Sequence, residues 1–534
     1  MRYATRGAVA AIAVGALLFT SCSKSTTTAQ TTGTPGDSST ATDAVQADVM
    51  AIDTPIVTYP GVEHLHYSYG PLDVLPGQNN IEISGKKMPK PDVDGYIVGI
   101  RPNLRHPDGS VPGVDVIHLH HGVWLNTSAK DSTSALPERI FATGEEKTIF
   151  TMPEGYGYPY KASDKWAITY MIHNLLSSAD QVSLTYDLDF IPATAPEAKD
   201  IQALRPIWMD VQNGKTYPVF DALKGSGENG QFTYPKDAGD PYDGKKTNTW
   251  TVDRDGVLVG VAGHLHPGGL HDDLYLTRAG AAATPGSDAA SSVTGDTARL
   301  FRSEAKYFEP AGAVSWDVAM TRSPDDWRVA VKAGDVLSTQ TTYDTSQASW
   351  YESMGIMNAW MADASAPGSP GVDPFTTKVD QPGQVTHGHL PENDNHGGTD
   401  AVIGPDPQTL PSGQLADQVN IFDFVYGPGD MANYQTVPTV KAGQALTFTN
   451  LDDKTGKGLW HTITSCKEPC NLSTGIAYPV ADADVQFDSG ELGTGGVPTA
   501  DRLTWNTPTD LSPGTYTYFC RIHPFMRGSF RVTQ

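Results

Sequence analysis

Tyr516-Thr-Tyr-Phe-Cys520-Arg-Ile-His523-Pro-Phe-Met526-Arg-Gly-Ser-Phe-Arg-Val532 reads as a strand, a tight loop and a second strand. The loop carries a thiol, an imidazole and a thioether in the spacing Cys-x2-His-x2-Met. All three are donors to soft metals.

Two imidazoles and one thiolate in a plane, with a long axial thioether, suit copper in both of its oxidation states. The loop supplies three of those four donors. The fourth is found upstream, in Lys441-Ala-Gly-Gln-Ala-Leu-Thr-Phe-Thr-Asn450-Leu-Asp452 and Trp460-His461, where a histidine follows a strand pattern. This set resembles the cupredoxin family, and the Cys-x2-His-Pro-Phe-Met-Arg-Gly loop is most similar to that of amicyanin. The resemblance implies a type 1 blue-copper site on His461, Cys520, His523 and, weakly, Met526, with Asn450 supporting the ligands. Ile522 stands where amicyanin has proline. Arg521 follows Cys520, so the Cys-His pair that joins blue copper to catalytic copper in nitrite reductases and multicopper oxidases is missing, and those classes are not expected.

The whole chain is 534 residues long, enough for about three folded units. Short alternating runs, such as Gly95 to Ile100, Gln181 to Phe190 and Gly256 to Ala262, are broken by Pro, Gly, Asp and Asn, and no long helical period is present. The expected fold class is all-β: two jelly-roll β-sandwiches over 51–195 and 196–362, a Pro/Gly/His-rich linker over 363–417, and a cupredoxin Greek-key sandwich over 418–534.

Lys and Arg number 37 against 61 Asp and Glu, a net charge of -24, which argues against a nucleic-acid partner. Residues 1–22 carry a basic start and an apolar run from Ala8 to Phe19, too short to span a bilayer, and read as an export signal. Leu18-Phe-Thr-Ser-Cys22 resembles a bacterial lipobox, which implies lipidation of Cys22 and a membrane anchor. Residues 23–50 are a Ser/Thr-rich tether that cannot bury a core. The expected location is the extracellular face of the cell membrane, or the periplasm. In such an oxidising compartment Cys466 and Cys470 are expected to close a small disulfide.

Upstream, histidines stand within apolar strand patterns: His118-Leu-His120-His121, Ile172-His173-Asn, and His264-Leu-His266. In a strand, His-x-His places both rings on one face, so His264 and His266 are expected to converge on a metal. The order of these pairs resembles the copper type II monooxygenases, the family of peptidylglycine α-hydroxylating monooxygenase and dopamine β-monooxygenase, over about residues 55–362. Tyr96 to Pro102 before the pair and Tyr351-Glu-Ser-Met354 after it extend the resemblance.

It implies one copper on His120, His121 and His173, and a second, dioxygen-binding copper on His264, His266 and Met354 as the catalytic set. His118 is a ligand alternate or a support. Ala262 and Asn358 stand where that family has substrate contacts, so its peptide substrate is not expected. His387, His389 and His396 in the linker are expected on a solvated turn.

The expectation is therefore an exported copper monooxygenase-like protein holding one type 1 copper and two further mononuclear coppers. Its partners would be dioxygen and a redox protein or small-molecule reductant. The alternatives are a non-catalytic copper electron carrier and a cell-surface copper-handling protein.

Overall fold

The computed structural model describes residues 55–84, 87–215, 217–239, 247–280, 292–365, 370–393, 405–454, 459–466, 485–494 and 502–534. Cys22, His396 and Cys470, which carry expectations above, lie outside them. Among the described residues the protein is all-β, and its one α-helix is the single turn Leu451–Lys454.

In the first sandwich, Glu63–Val74, Asp180–Pro192 and Gly95–Arg105 pair antiparallel in that order. Val182, Leu184, Tyr186, Leu188 and Phe190 occur at every second position of one strand and are all 0% exposed, so the period-two pattern marks the core face. The facing sheet has the order Ile81–Ile83, Trp166–Asn174, Ile117–Lys130, Pro137–Gly144. Its inner face places Leu119, Trp124, Ile168 and Ile172 in the same core. Its outer face carries the histidines.

The second sandwich pairs Gln202–Asp210, Ile356–Asp363 and Gly256–His264, with Gly269–Thr277, Thr297–Tyr307 and Val336–Asp344 forming the opposite layer. Gly256–His264 is buried along its entire length. Its two faces serve different cores: Val257 and Val259 pack with the first sandwich, Leu258 and Val261 with the second. That explains why Gly-Val-Leu-Val-Gly-Val-Ala is apolar without alternation. Trp360 closes the seam, its ring 5.7 Å from Phe150 and 5.8 Å from Tyr158.

The carboxy-terminal sandwich has a five-stranded sheet, Ser412–Leu415, Val437–Lys441, Arg527–Thr533, Gly514–Phe519, Thr464–Cys466. It packs on a four-stranded one, Val425–Gly427, Gln418–Phe422, Thr447–Asn450, Thr504–Asn506. Parallel and antiparallel pairs mix as in a cupredoxin-like Greek key. Cys466 is disulfide-bonded.

The stretch before this domain departs from the expected solvated turn. His387 is 2% exposed and donates through Nε2 to the Glu146 carbonyl at 2.6 Å. Glu392 pairs with Lys147 at 2.5 Å, both side chains being buried. The reason is that Gly144 to Lys147 carries backbone and charge that need partners, and this segment folds back to supply them.

Trp360→Ala should leave a cavity at the seam costing about 3–5 kcal/mol. A clearly lower unfolding midpoint in denaturant is expected; an unchanged midpoint would show that the two sandwiches do not share this packing.

Candidate metal centres

The Cys520 loop is closed by its own backbone: Cys520 N donates to the Met526 carbonyl at 3.1 Å, and Met526 N to the His523 carbonyl at 2.8 Å. Phe519 pairs with Arg527 across its base. This brings Cys520 Sγ to 3.6 Å from His523 Nδ1 and 3.9 Å from His461 Nδ1, with the two nitrogens 3.1 Å apart. Three donors around a metal, at bonds of about 2.0 Å to nitrogen and about 2.3 Å to sulfur, would lie roughly 3.5 Å apart. The donors therefore fit a trigonal copper site. Met526 is buried in the same core cluster as Cys520.

Surrounding bonds prepare the donors. His461 Nε2 donates to Asp452 Oδ2 at 3.0 Å and His523 Nε2 to the Gly77 carbonyl at 2.8 Å, so each ring presents Nδ1 to the thiol. Burial would raise the Cys520 thiol, but His523 and His461 outweigh it and hold the thiol well below its ordinary value. The N–H groups of Thr462 and His523 point at Sγ from 3.3 and 3.4 Å. Asn450 Nδ2 donates to the carbonyls of Leu459 and Leu492, at 2.8 and 2.7 Å, tying the segments on either side of His461.

The upstream donors gather differently from the resemblance. His118 faces His173 across the strand pair, and a β-bulge between Leu119 and His121 inserts His120 as an extra residue. One ring nitrogen each of His118, His120 and His173 lies within 4.8 Å of the others. His118 Nδ1 donates to the Val114 carbonyl and His173 Nε2 to the Ile522 carbonyl, leaving the opposite nitrogens for a metal.

A second group shares His120: its ring lies 4.1 Å from that of His266, and Glu145 is within 4.8 Å of both. Burial would raise the Glu145 carboxyl, but His120 and His266 hold it well below the usual range. His118 Nε2 and His266 Nε2 are buried without a hydrogen-bond partner, which leaves them free to bind a metal.

His121 and Met354 belong elsewhere. The bulge leaves His121 beyond the cluster, where it lines a separate cavity with His264 and Met354. His264 ends its strand and His266 lies past it, the rings 5.1 Å apart at 79°, and among the described residues His266 groups with His120 and Glu145. His264 Nδ1 turns to Glu146 Oε1 at 2.9 Å. Asn358 donates to the Ile140 carbonyl at 3.2 Å. Glu145 and Glu146 were missed from sequence, although two adjacent acids between Phe141 and Phe150 were a usable signal.

The two centres meet. The His173 bond to Ile522 is 2.6 Å long. Gly77 receives His523, and its own N–H donates to the Leu176 carbonyl at 3.0 Å, close after His173. Gly77 has φ +60, and a Cβ there would fall 2.8 Å from the His523 ring and 2.6 Å from Phe424, so this approach needs glycine. Arg521, next to Cys520, bonds the Ser349 carbonyl and covers Trp350 at 4.6 Å. Between the centres lies a cavity of about 80 Å³ lined by His120, His173, His266, Glu352, Glu491 and Ile522. Burial raises the Glu352 carboxyl to about 7 and the Glu491 carboxyl well above its ordinary value.

No protein-family model matches the chain, and no curated protein matches it. Among solved structures, a purple cupredoxin from Nitrosopumilus maritimus is similar over 22% of this chain and 98% of its own, at 21% identity and a TM-score of 0.14. A copper-containing nitrite reductase from Thermus scotoductus SA-01 is similar over 52% of this chain and 55% of its own, at 16% identity and a TM-score of 0.15. A multi-copper oxidase from Pediococcus acidilactici is similar over 51% of this chain and 49% of its own, at 9% identity and a TM-score of 0.16. The chain spans about half the length of each of the last two. Likenesses of that extent carry no activity to this chain.

Cys520→Ser should abolish the visible thiolate-to-copper band of the copper-loaded chain while upstream copper remains. Asn450→Ala, which removes the side-chain donor shared by the Leu459 and Leu492 carbonyls, should weaken copper binding at that site by roughly 10–100-fold. Metal analysis should show His118→Ala and His173→Ala each losing upstream copper that His121→Ala retains. Loss in His121→Ala and His173→Ala but not in His118→Ala would restore the His120/His121/His173 grouping.

Proposed function

We propose that the chain is an exported copper oxidoreductase of the monooxygenase kind, in which a carboxy-terminal type 1 copper domain passes single electrons to an upstream copper and dioxygen site. The observation that carries this reading is the hydrogen bond from His173 to the Ile522 carbonyl. Copper at the two centres would supply one-electron exchange at the first and reduction of dioxygen at the second.

The residues provide the route. From Cys520 Sγ the path follows covalent bonds through Cys520, Arg521 and Ile522 and crosses a single 2.6 Å hydrogen bond into His173, whose other nitrogen faces His118 and His120. Three imidazoles suit a metal that cycles one electron. The cavity beside them has room for a diatomic molecule, and the raised carboxyls of Glu352 and Glu491 can hold protons at its wall. In this reading Arg521 positions the loop on the upstream block and Asp452 and Gly77 orient the copper-facing imidazoles.

A freely diffusing electron carrier fits less well. The His523 ring edge would be a short route from copper to solvent, and Gly77 covers it, leaving His523 at 0% exposure. The export signal and the Cys22 anchor complete the proposal and put the chain where copper and dioxygen are both available.

The pre-reduced, copper-loaded chain mixed with oxygen should recover its blue band quickly. His118→Ala should slow that recovery by an order of magnitude or more without altering the blue spectrum, because the electron's acceptor is lost. Gly77→Val should slow it as well, by displacing the His523 loop. Recovery at the wild-type rate in both variants would refute transfer between the centres.

A further inference from the structure

The cavity that holds His121, His264 and Met354 has no role in electron passage. It has a volume of about 280 Å³ and lies between the outer face of the first sandwich and the strands of the second. Val123, Leu125 and Ala167 form one wall, and Trp208 and Ile356 the other. Ile83, 65% exposed, stands at the mouth, so the cavity is open to solvent.

Its charged lining is already partnered. Arg139 bonds Asp131 at 2.9 Å, Lys215 bonds Gln212, and Asp210 accepts from Gln212 N at 2.8 Å and Trp208 Nε1 at 3.3 Å. By contrast, His121 Nδ1 and His264 Nε2 are buried with no hydrogen-bond partner. His264 is fixed in that state because its Nδ1 is bonded to Glu146. Met354 is pinned beside them: its N–H donates to the Tyr343 hydroxyl at 3.2 Å, and that hydroxyl donates to its carbonyl at 2.7 Å.

We propose that this cavity binds a neutral, largely apolar small molecule carrying one hydrogen-bonding head, which reaches the free nitrogens of His121 and His264. An apolar cavity of roughly 150 Å³ accepts benzene, so this one takes a molecule of about two fused rings. A charged ligand is disfavoured because Arg139, Lys215 and Asp210 are already hydrogen-bonded within the wall, and breaking those bonds to meet it would add to the ligand's own desolvation. The inference goes beyond the oxidoreductase reading by assigning a ligand class to a second cavity, and its test needs no turnover.

The probe is 2-naphthol, titrated calorimetrically into the full chain, with 2-naphthoate as the charged comparison. Saturable 1:1 binding of 2-naphthol is expected, with 2-naphthoate weaker by roughly tenfold or more. Ala167→Phe fills the cavity and should weaken 2-naphthol by roughly tenfold or more. Leu125→Trp, on the neighbouring strand, gives the same reading should the first variant fail to fold. His121→Leu should remove the preference for the hydroxyl over unsubstituted naphthalene. No binding of 2-naphthol, equal binding of 2-naphthoate, or unchanged affinity in the filled variants would overturn the proposal. If 2-naphthol binds as described but the blue site never reoxidises through the upstream centre, the cavity stands and the electron-transfer reading falls.

Discussion

The hydrogen bond from His173 Nε2 to the Ile522 carbonyl is the contact on which the arrangement of the two centres depends. An imidazole has two nitrogens, and committing one as a donor determines which remains for a metal. Here a single bond sets the tautomer of an upstream donor and anchors the loop that carries Cys520 and His523. The bond from His523 to Gly77 does the same in the opposite direction. Each centre thus supports the other's ligand geometry, and His461, Cys520 and His523 are all 0% exposed.

The same principle recurs through the histidines. His461 is committed to Asp452, His118 to the Val114 carbonyl, His264 to Glu146. The short turn Gly144 to Lys147 supplies Glu145 to one group of rings and Glu146 to another. It is held from behind by His387 and Glu392. What reads in sequence as a spacer is therefore part of the scaffold that sets the acids.

The carboxy-terminal site was legible because its donors sit in one short loop whose spacing admits few alternatives, with His461 and Asn450 following a recognisable strand. The all-β architecture was legible from alternation such as Val182 to Phe190. The grouping of upstream donors was not. Period-two reasoning assumes an unbroken strand, and the bulge at His120 and the strand end at His264 break it where the donors lie. Gly77 and the Ile522 carbonyl are backbone contacts between residues hundreds of positions apart, and nothing local in the sequence encodes them.

A crystal of the copper-loaded full chain, measured at the copper absorption edge, tests the central claim most directly. The account predicts one anomalous peak among His461 Nδ1, Cys520 Sγ and His523 Nδ1, and another bonded to His173 Nδ1, with His173 Nε2 still donating to the Ile522 carbonyl. Upstream density without copper, or a His173 ring turned away from Ile522, would contradict it.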